Sequence, residues 1–73
     1  MSHDQLDARR LICPMPVIRT QDKIKQLTAG DILAVTCTDP GVIHDIPAWC
    51  DVNGHTVLDI QRTDMEIVIT IQV

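Results

Sequence analysis

A 73-residue chain makes one small domain, which buries only a limited fraction of its surface. Apolar side chains make up 45% of it, mostly Ile, Val and Leu, enough for one compact core; Trp49 is the only aromatic and the formal charge is −4. That balance repels phosphate backbones and gives bases nothing to stack on, so direct nucleic-acid binding is not expected, even with Arg9, Arg10 and Arg19 as a candidate basic cluster.

No segment is long and apolar enough to span a bilayer, and Met1 to Arg10 lack the apolar run of a signal peptide, which makes the cytoplasm the expected location. In that reducing compartment the three cysteines, without metal-type spacing, are expected as free thiols. There is no repeat, linker or low-complexity run, so residues 1–73 read as a single domain.

Leu6 and Ala8 alternate with Asp7 and Arg9 and predict a short first strand. From Pro14 to about Thr28 the period becomes helical, with Val17, Ile18, Ile24 and Leu27 on one side. Gly30, in Ala29-Gly30-Asp31, suits the C-terminal cap. Ile32 to Thr38 form a second strand with Leu33, Val35 and Cys37 in one phase. Asp39-Pro40 then resembles an N-cap followed by proline at the first helical position. Val42, Ile43, Ile46, Trp49 and Cys50 keep helical spacing; Pro47 among them is expected to kink the second helix or divide it, and Asn53-Gly54 to close it. His55 to Arg62 read as a third strand and Thr63-Asp64 as a tight turn. Met65 to Val73 give the strongest alternation in the chain. The order β-α-β-α-β-β, with right-handed crossovers, predicts a two-layer α/β (α+β) sandwich: a mixed four-stranded sheet with both helices on one face.

Position separates the thiols. Cys37 and Cys50 share the phases of buried neighbours and read as small core residues. Cys13 stands outside both apolar patterns, between the first strand and the first helix, directly before Pro14. The residue before a proline is pushed toward extended geometry, which an N-cap needs, so the sulfur is expected at the positive end of the helix dipole, where the reactive thiolate is favoured. Pro14 and Pro16 remove two backbone donors, leave the N–H groups of Met15 and Val17 nearby, and stiffen the segment before any partner docks. Arg10 adds positive charge. No CxxC pair is present, His3, His44 and His55 have no ligand spacing to the cysteines, and no Gly-rich phosphate loop exists, so neither metal nor cofactor is expected. Asp39 and Asp45 read as helix cap and solvent-facing helix residue, and no catalytic base is apparent beside Cys13.

Leu6-Asp7-Ala8 followed by Leu11-Ile12-Cys13-Pro14-Met15-Pro16-Val17 resembles the opening of the TusA/SirA-like sulfur carriers, whose hallmark is Cys-Pro-x-Pro at the start of the first helix. Gly30-Asp31, Asp39-Pro40 and Asp45-Ile46-Pro47-Ala48-Trp49-Cys50 extend the resemblance over nearly the whole chain. It implies the two-layer sandwich above, similar in topology to the C-terminal domain of bacterial translation initiation factor three. It further implies that Cys13 accepts sulfane sulfur as a persulfide from a cysteine desulfurase or rhodanese-like donor. A DsrE/TusBCD-type acceptor then takes the sulfur toward tRNA thiolation, cofactor sulfuration or sulfur oxidation. Such a chain is a carrier, a sulfurtransferase component rather than a stand-alone enzyme, and a monomer is expected. Many relatives have glycine where this chain has Arg10. Without that freedom the loop before Cys13 is expected to take a different path, or to show a basic side chain to the partner. Three rivals stand beside this reading: a regulatory or binding module whose Cys-Pro-x-Pro is only a helix cap, a redox protein pairing Cys13 with Cys37 or Cys50, and an RNA-binding domain suggested by the fold alone.

Overall fold

The computed structural model describes residues 2–73. Its elements are β1 (His3–Ala8), α1 (Met15–Ile24), β2 (Ile32–Cys37), α2 (Val42–Asn53), β3 (Thr56–Arg62) and β4 (Ile67–Gln72), the expected order β-α-β-α-β-β. They build one four-stranded mixed sheet ordered β1-β2-β4-β3. β1 runs parallel to β2, and β4 is antiparallel to both β2 and β3, so the C-terminal strand inserts between β2 and its own hairpin partner.

Alternation along the strands sets the layers. Leu33, Val35 and Cys37 of β2 and Ile67, Ile69 and Ile71 of β4 are all buried, and they meet Val42, Ile46 and Cys50 of α2 in one apolar cluster. Pairing brings Ala8, Cys37 and Ile67 level at one edge of the sheet, where β1 and β2 both end. The loops into the two helices leave from that edge, so the amino ends of α1 and α2 lie on the same side of the molecule.

Several local expectations are corrected. α1 stops at Ile24, with Lys25 as its C-cap, rather than near Thr28. Gly30, five residues beyond that cap, takes φ +96° in the turn into β2 and donates its N–H to the Val73 carbonyl (2.8 Å). The buried face of α1 is Pro16, Thr20 and Ile24, while Ile18 is 42% exposed. Thr20 fits that face because its hydroxyl donates to the Pro16 carbonyl (2.8 Å), leaving no buried donor unpaired. Pro47 does not divide α2. Its ring removes one internal hydrogen bond, but Ile46 and Cys50 on either side of it are anchored in the core and hold the helix in one piece. Gly54 ends α2 at φ +79°, and the N–H of His55 reaches the Cys50 carbonyl (2.9 Å).

The load falls on the central pair of strands. Replacing Ile69, which is fully buried between Val35 and Ile60, with Ala is expected to cost about 3 kcal/mol in urea unfolding. Val68→Ala on the other face of β4, half buried, is expected to cost less than half as much; equal losses would mean the open face carries a second core.

Candidate functional site

Cys13 sits where the two helix-entry loops touch. The β1–α1 loop is fastened to the β2–α2 loop at two points: the Arg10 N–H donates to Thr38 Oγ1 (2.9 Å), and the Cys13 N–H donates to Asp39 Oδ2 (2.9 Å). The other Asp39 oxygen accepts the Gly41 N–H (3.0 Å), so this one side chain closes its own turn and clamps the cysteine backbone. Cys13 and Pro14, joined by a cis peptide, are the middle of a turn closed by the Met15 N–H on the Ile12 carbonyl (2.9 Å). The Met15 N–H is therefore occupied and does not face a ligand. Pro16 is buried against the core, whereas Pro14 is exposed at the loop's outer edge.

This geometry corrects the helix-cap expectation. The N-cap of α1 is Pro14, and no side chain caps it; Cys13 lies one residue further out. The sulfur instead rests against Gly41, the N-cap of α2: the point where a side chain on Gly41 would begin is 3.3 Å from Cys13 Sγ, 3.5 Å from Asp39 Oδ1 and 3.8 Å from Asp45 Oδ2. Gly41 has φ −60° and ψ −22°, which any residue adopts, so what its lack of a side chain provides here is room for the sulfur. Asp39 is not the cap of α2, and Asp45, although solvent-exposed as expected, belongs to the site.

The electrostatics are the reverse of a dipole-activated thiol. Hydrogen bonding to Asp45, then desolvation, then hydrogen bonding to Asp39 and the charges of both carboxylates push the Cys13 thiol up to about 12. The Asp39 carboxyl is held below the usual range by the N–H groups of Cys13 and Gly41. Burial lifts Cys37 and Cys50 to about 11, with the Asp39 charge adding to the first. Acidity therefore does not set Cys13 apart; access does. Cys13 is partly exposed, while Cys37 is fully buried and Cys50 is 1% exposed. Reading Asp39 and Asp45 as a helix cap and a solvent-facing residue missed their place beside the sulfur, which comes from the meeting of two loops distant in sequence.

Arg10 takes φ +68°, the left-handed region that glycine adopts freely, and its side chain is exposed to solvent. Arg9 adds nothing to a free basic cluster, because it binds Asp7 (2.9 Å) and Glu66 (3.3 Å). Three apolar side chains near Cys13 in sequence are exposed: Ile12 at 76%, Met15 at 37% and, further along α1, Ile18 at 42%. Among the described residues no group of three or more His, Cys, Asp or Glu side chains is arranged to hold a metal ion.

Known proteins resemble this chain in sequence and in fold. The family model described as sulfurtransferase TusA matches residues 4–73. A putative sulfur carrier protein of Neisseria meningitidis is 35% identical over 72 residues, spanning 99% of this chain and 97% of that protein. The putative sulfur carrier protein YrkI of Bacillus subtilis is 44% identical over 54 residues, 74% of this chain and 72% of its own. The sulfur carrier protein TusA of Pseudomonas putida is 43% identical over 57 residues, 78% and 71% of the two chains. In fold, the chain superposes on the crystal structure of a SirA-like protein from Desulfitobacterium hafniense with a TM-score of 0.84 over 96% of each chain, at 24% identity.

Two outcomes check the loop geometry. Arg10→Gly is expected to leave thermal stability unchanged or slightly higher, since the left-handed cost of about 1 kcal/mol and the extra freedom of unfolded glycine nearly cancel; Arg10→Val is expected to lower it. The Asp39 carboxyl, whose folded pKa is depressed, contributes stability that is full above the ordinary value of 3.8 and is lost as pH falls through its lower folded value. Denaturation of Asp39→Asn beside wild type should therefore show a gap at neutral pH that closes in acid; a gap that persists in strong acid would mean the hydrogen bonds do not depend on the charge.

Proposed function

This chain belongs to the TusA sulfurtransferase family and has its sulfur-carrier role, and on that premise we propose that Cys13 is the carrying atom's anchor, holding sulfane sulfur as a persulfide between a donor and an acceptor protein. The observation that carries the reading is access: of three free thiols, Cys13 alone is not buried, and it is fixed by a backbone clamp near exposed apolar side chains. In the loading step the Cys13 sulfur attacks the outer sulfur of a donor persulfide. One sulfur–sulfur bond forms on Cys13, the donor's own breaks, and the proton leaving Cys13 ends on the donor's departing thiolate. The exchange has no net oxidation or reduction and needs no cofactor. Unloading is the same step with an acceptor thiol attacking the outer sulfur.

The exposed Ile12, Met15 and Ile18, in the cysteine's loop and the helix after it, offer a partner apolar contact, and the exposed Arg10 adds one charge. A patch of this size suits a modest interface that forms and releases, as a shuttle between two partners requires. By resemblance to the family, the donor is a cysteine desulfurase or rhodanese-like protein and the acceptor a DsrE/TusBCD-type protein, in the cytoplasm, serving tRNA thiolation, cofactor sulfuration or sulfur oxidation. No helix of the described residues is long and apolar enough to cross a membrane. Pro14 and Pro16 act as stiffeners of the segment.

Incubation with a persulfide donor, followed by intact-mass measurement and peptide mapping, is expected to add one sulfur atom at Cys13 and none at Cys37 or Cys50. Cys13→Ser is expected to abolish loading with the fold intact. Equal loading of the serine variant would refute the assignment.

A further inference from the structure

The two carboxylates beside the sulfur differ in what else they do. Each Asp39 oxygen already accepts a backbone N–H, from Cys13 and from Gly41. Asp45, in the first turn of α2, is exposed and accepts no backbone N–H among the described residues, so the thiol is the group its charge acts on. Both have an oxygen within 3.8 Å of the point beside Gly41 from which Cys13 Sγ is 3.3 Å away. Resting on the reading of Cys13 as the carrier thiol, we propose that Asp39 and Asp45 hold its proton in the free protein, so that the sulfur is a slow nucleophile until a complex relieves this contact.

A thiol flanked by two negative charges loses its proton against their repulsion. The charges acting on Cys13 come from the β2–α2 loop, through Asp39, and from α2, through Asp45. No basic side chain of the β1–α1 loop or of α1, Arg10 and Arg19 included, pulls in the opposite sense. A thiol raised from 9.0 to about 12 has, at neutral pH, about a thousandth of the ordinary thiolate population. The stronger nucleophilicity of the more basic thiolate recovers part of that, which leaves a rate roughly thirtyfold below that of an ordinary exposed cysteine. The free carrier is thereby guarded against stray oxidation and alkylation, both of which follow thiolate character. A partner whose docked surface draws the carboxylates away, or neutralises them, lets the proton leave; in the exchange it ends on the donor's departing thiolate, with no net redox change.

The test is the pH dependence of iodoacetamide alkylation of the full chain, read at Cys13 by peptide mapping, for wild type and Asp45→Asn. The variant is isosteric, at an exposed position with no backbone hydrogen bond to lose, and circular dichroism checks its fold. The wild-type rate is expected to climb roughly tenfold per pH unit without levelling at the highest pH the fold survives, and Asp45→Asn to alkylate about tenfold faster at neutral pH. A wild-type rate that levels off near the ordinary thiol value of 9.0, which needs no variant to observe, would overturn the proposal, as would a variant that alkylates no faster. Loading by inorganic polysulfide is the separate arm. A chain that loads at Cys13 yet titrates as an ordinary thiol refutes the proton-holding role alone, whereas a chain that never loads at Cys13 removes the carrier reading and this proposal with it.

Discussion

One carboxylate ties the functional loop to the rest of the molecule. Asp39 receives the N–H of Cys13 on one oxygen and the N–H of Gly41 on the other, and so joins the entry of α1 to the entry of α2. Without it, the Cys13 backbone would lose its hydrogen bond to the β2–α2 loop, and the Arg10 N–H on Thr38 would be the remaining hydrogen bond between the two loops among the described residues. The sheet beneath supplies the fixed points: Ala8 and Cys37 pair at the ends of parallel strands, so the two loops start side by side. Charged acceptors make stronger hydrogen bonds than neutral ones, and a charge that accepts two N–H groups in one loop junction preorganises the cysteine before any partner arrives.

The same geometry that gives the sulfur access also restrains it. Cys13 is the thiol that lies open at the surface, yet its proton is held as firmly as those of the two buried cysteines. For a shuttle these properties are compatible. An unloaded carrier that reacted with every disulfide it met would be consumed before it reached its donor. A restrained thiol near the exposed Ile12, Met15 and Ile18 reacts where these are covered by a matching surface. Gly41 completes the arrangement by leaving open the space next to the sulfur that a side chain would occupy.

Much of this was legible in the sequence, and what was not has identifiable causes. The strands of the sheet's centre announced themselves because Leu33, Val35 and Cys37, and Ile67, Ile69 and Ile71, obey a strict period of two, and the buried face is the one that period selects. The position of β4 between β2 and β3 was not predicted, since alternation marks a face but not a neighbour. Helix ends were misplaced where a polar or glycine signal served a turn instead of a cap, as with Gly30 and Asp39. α1 was assigned Ile18 on its buried side because Thr20 counts as polar in any periodicity; its hydroxyl is satisfied within the helix, so it packs as an apolar residue does. Cys13 is the cysteine left unburied, as its place outside the core patterns implies, but its sulfur lies beside the entry of α2 and not at the amino end of α1. That contact joins residues 13, 41 and 45 across two elements, and no local pattern encodes it.

The account's central claim is that this chain carries sulfur on Cys13. The most direct measurement is on protein isolated from its native cells with thiols blocked at lysis and no reductant present, with each cysteine peptide weighed separately. Cys13 peptides bearing one extra sulfur atom, beside unmodified Cys37 and Cys50, are the predicted result. Extra sulfur on Cys37 or Cys50, or none on Cys13 in cells actively moving sulfur, would contradict it.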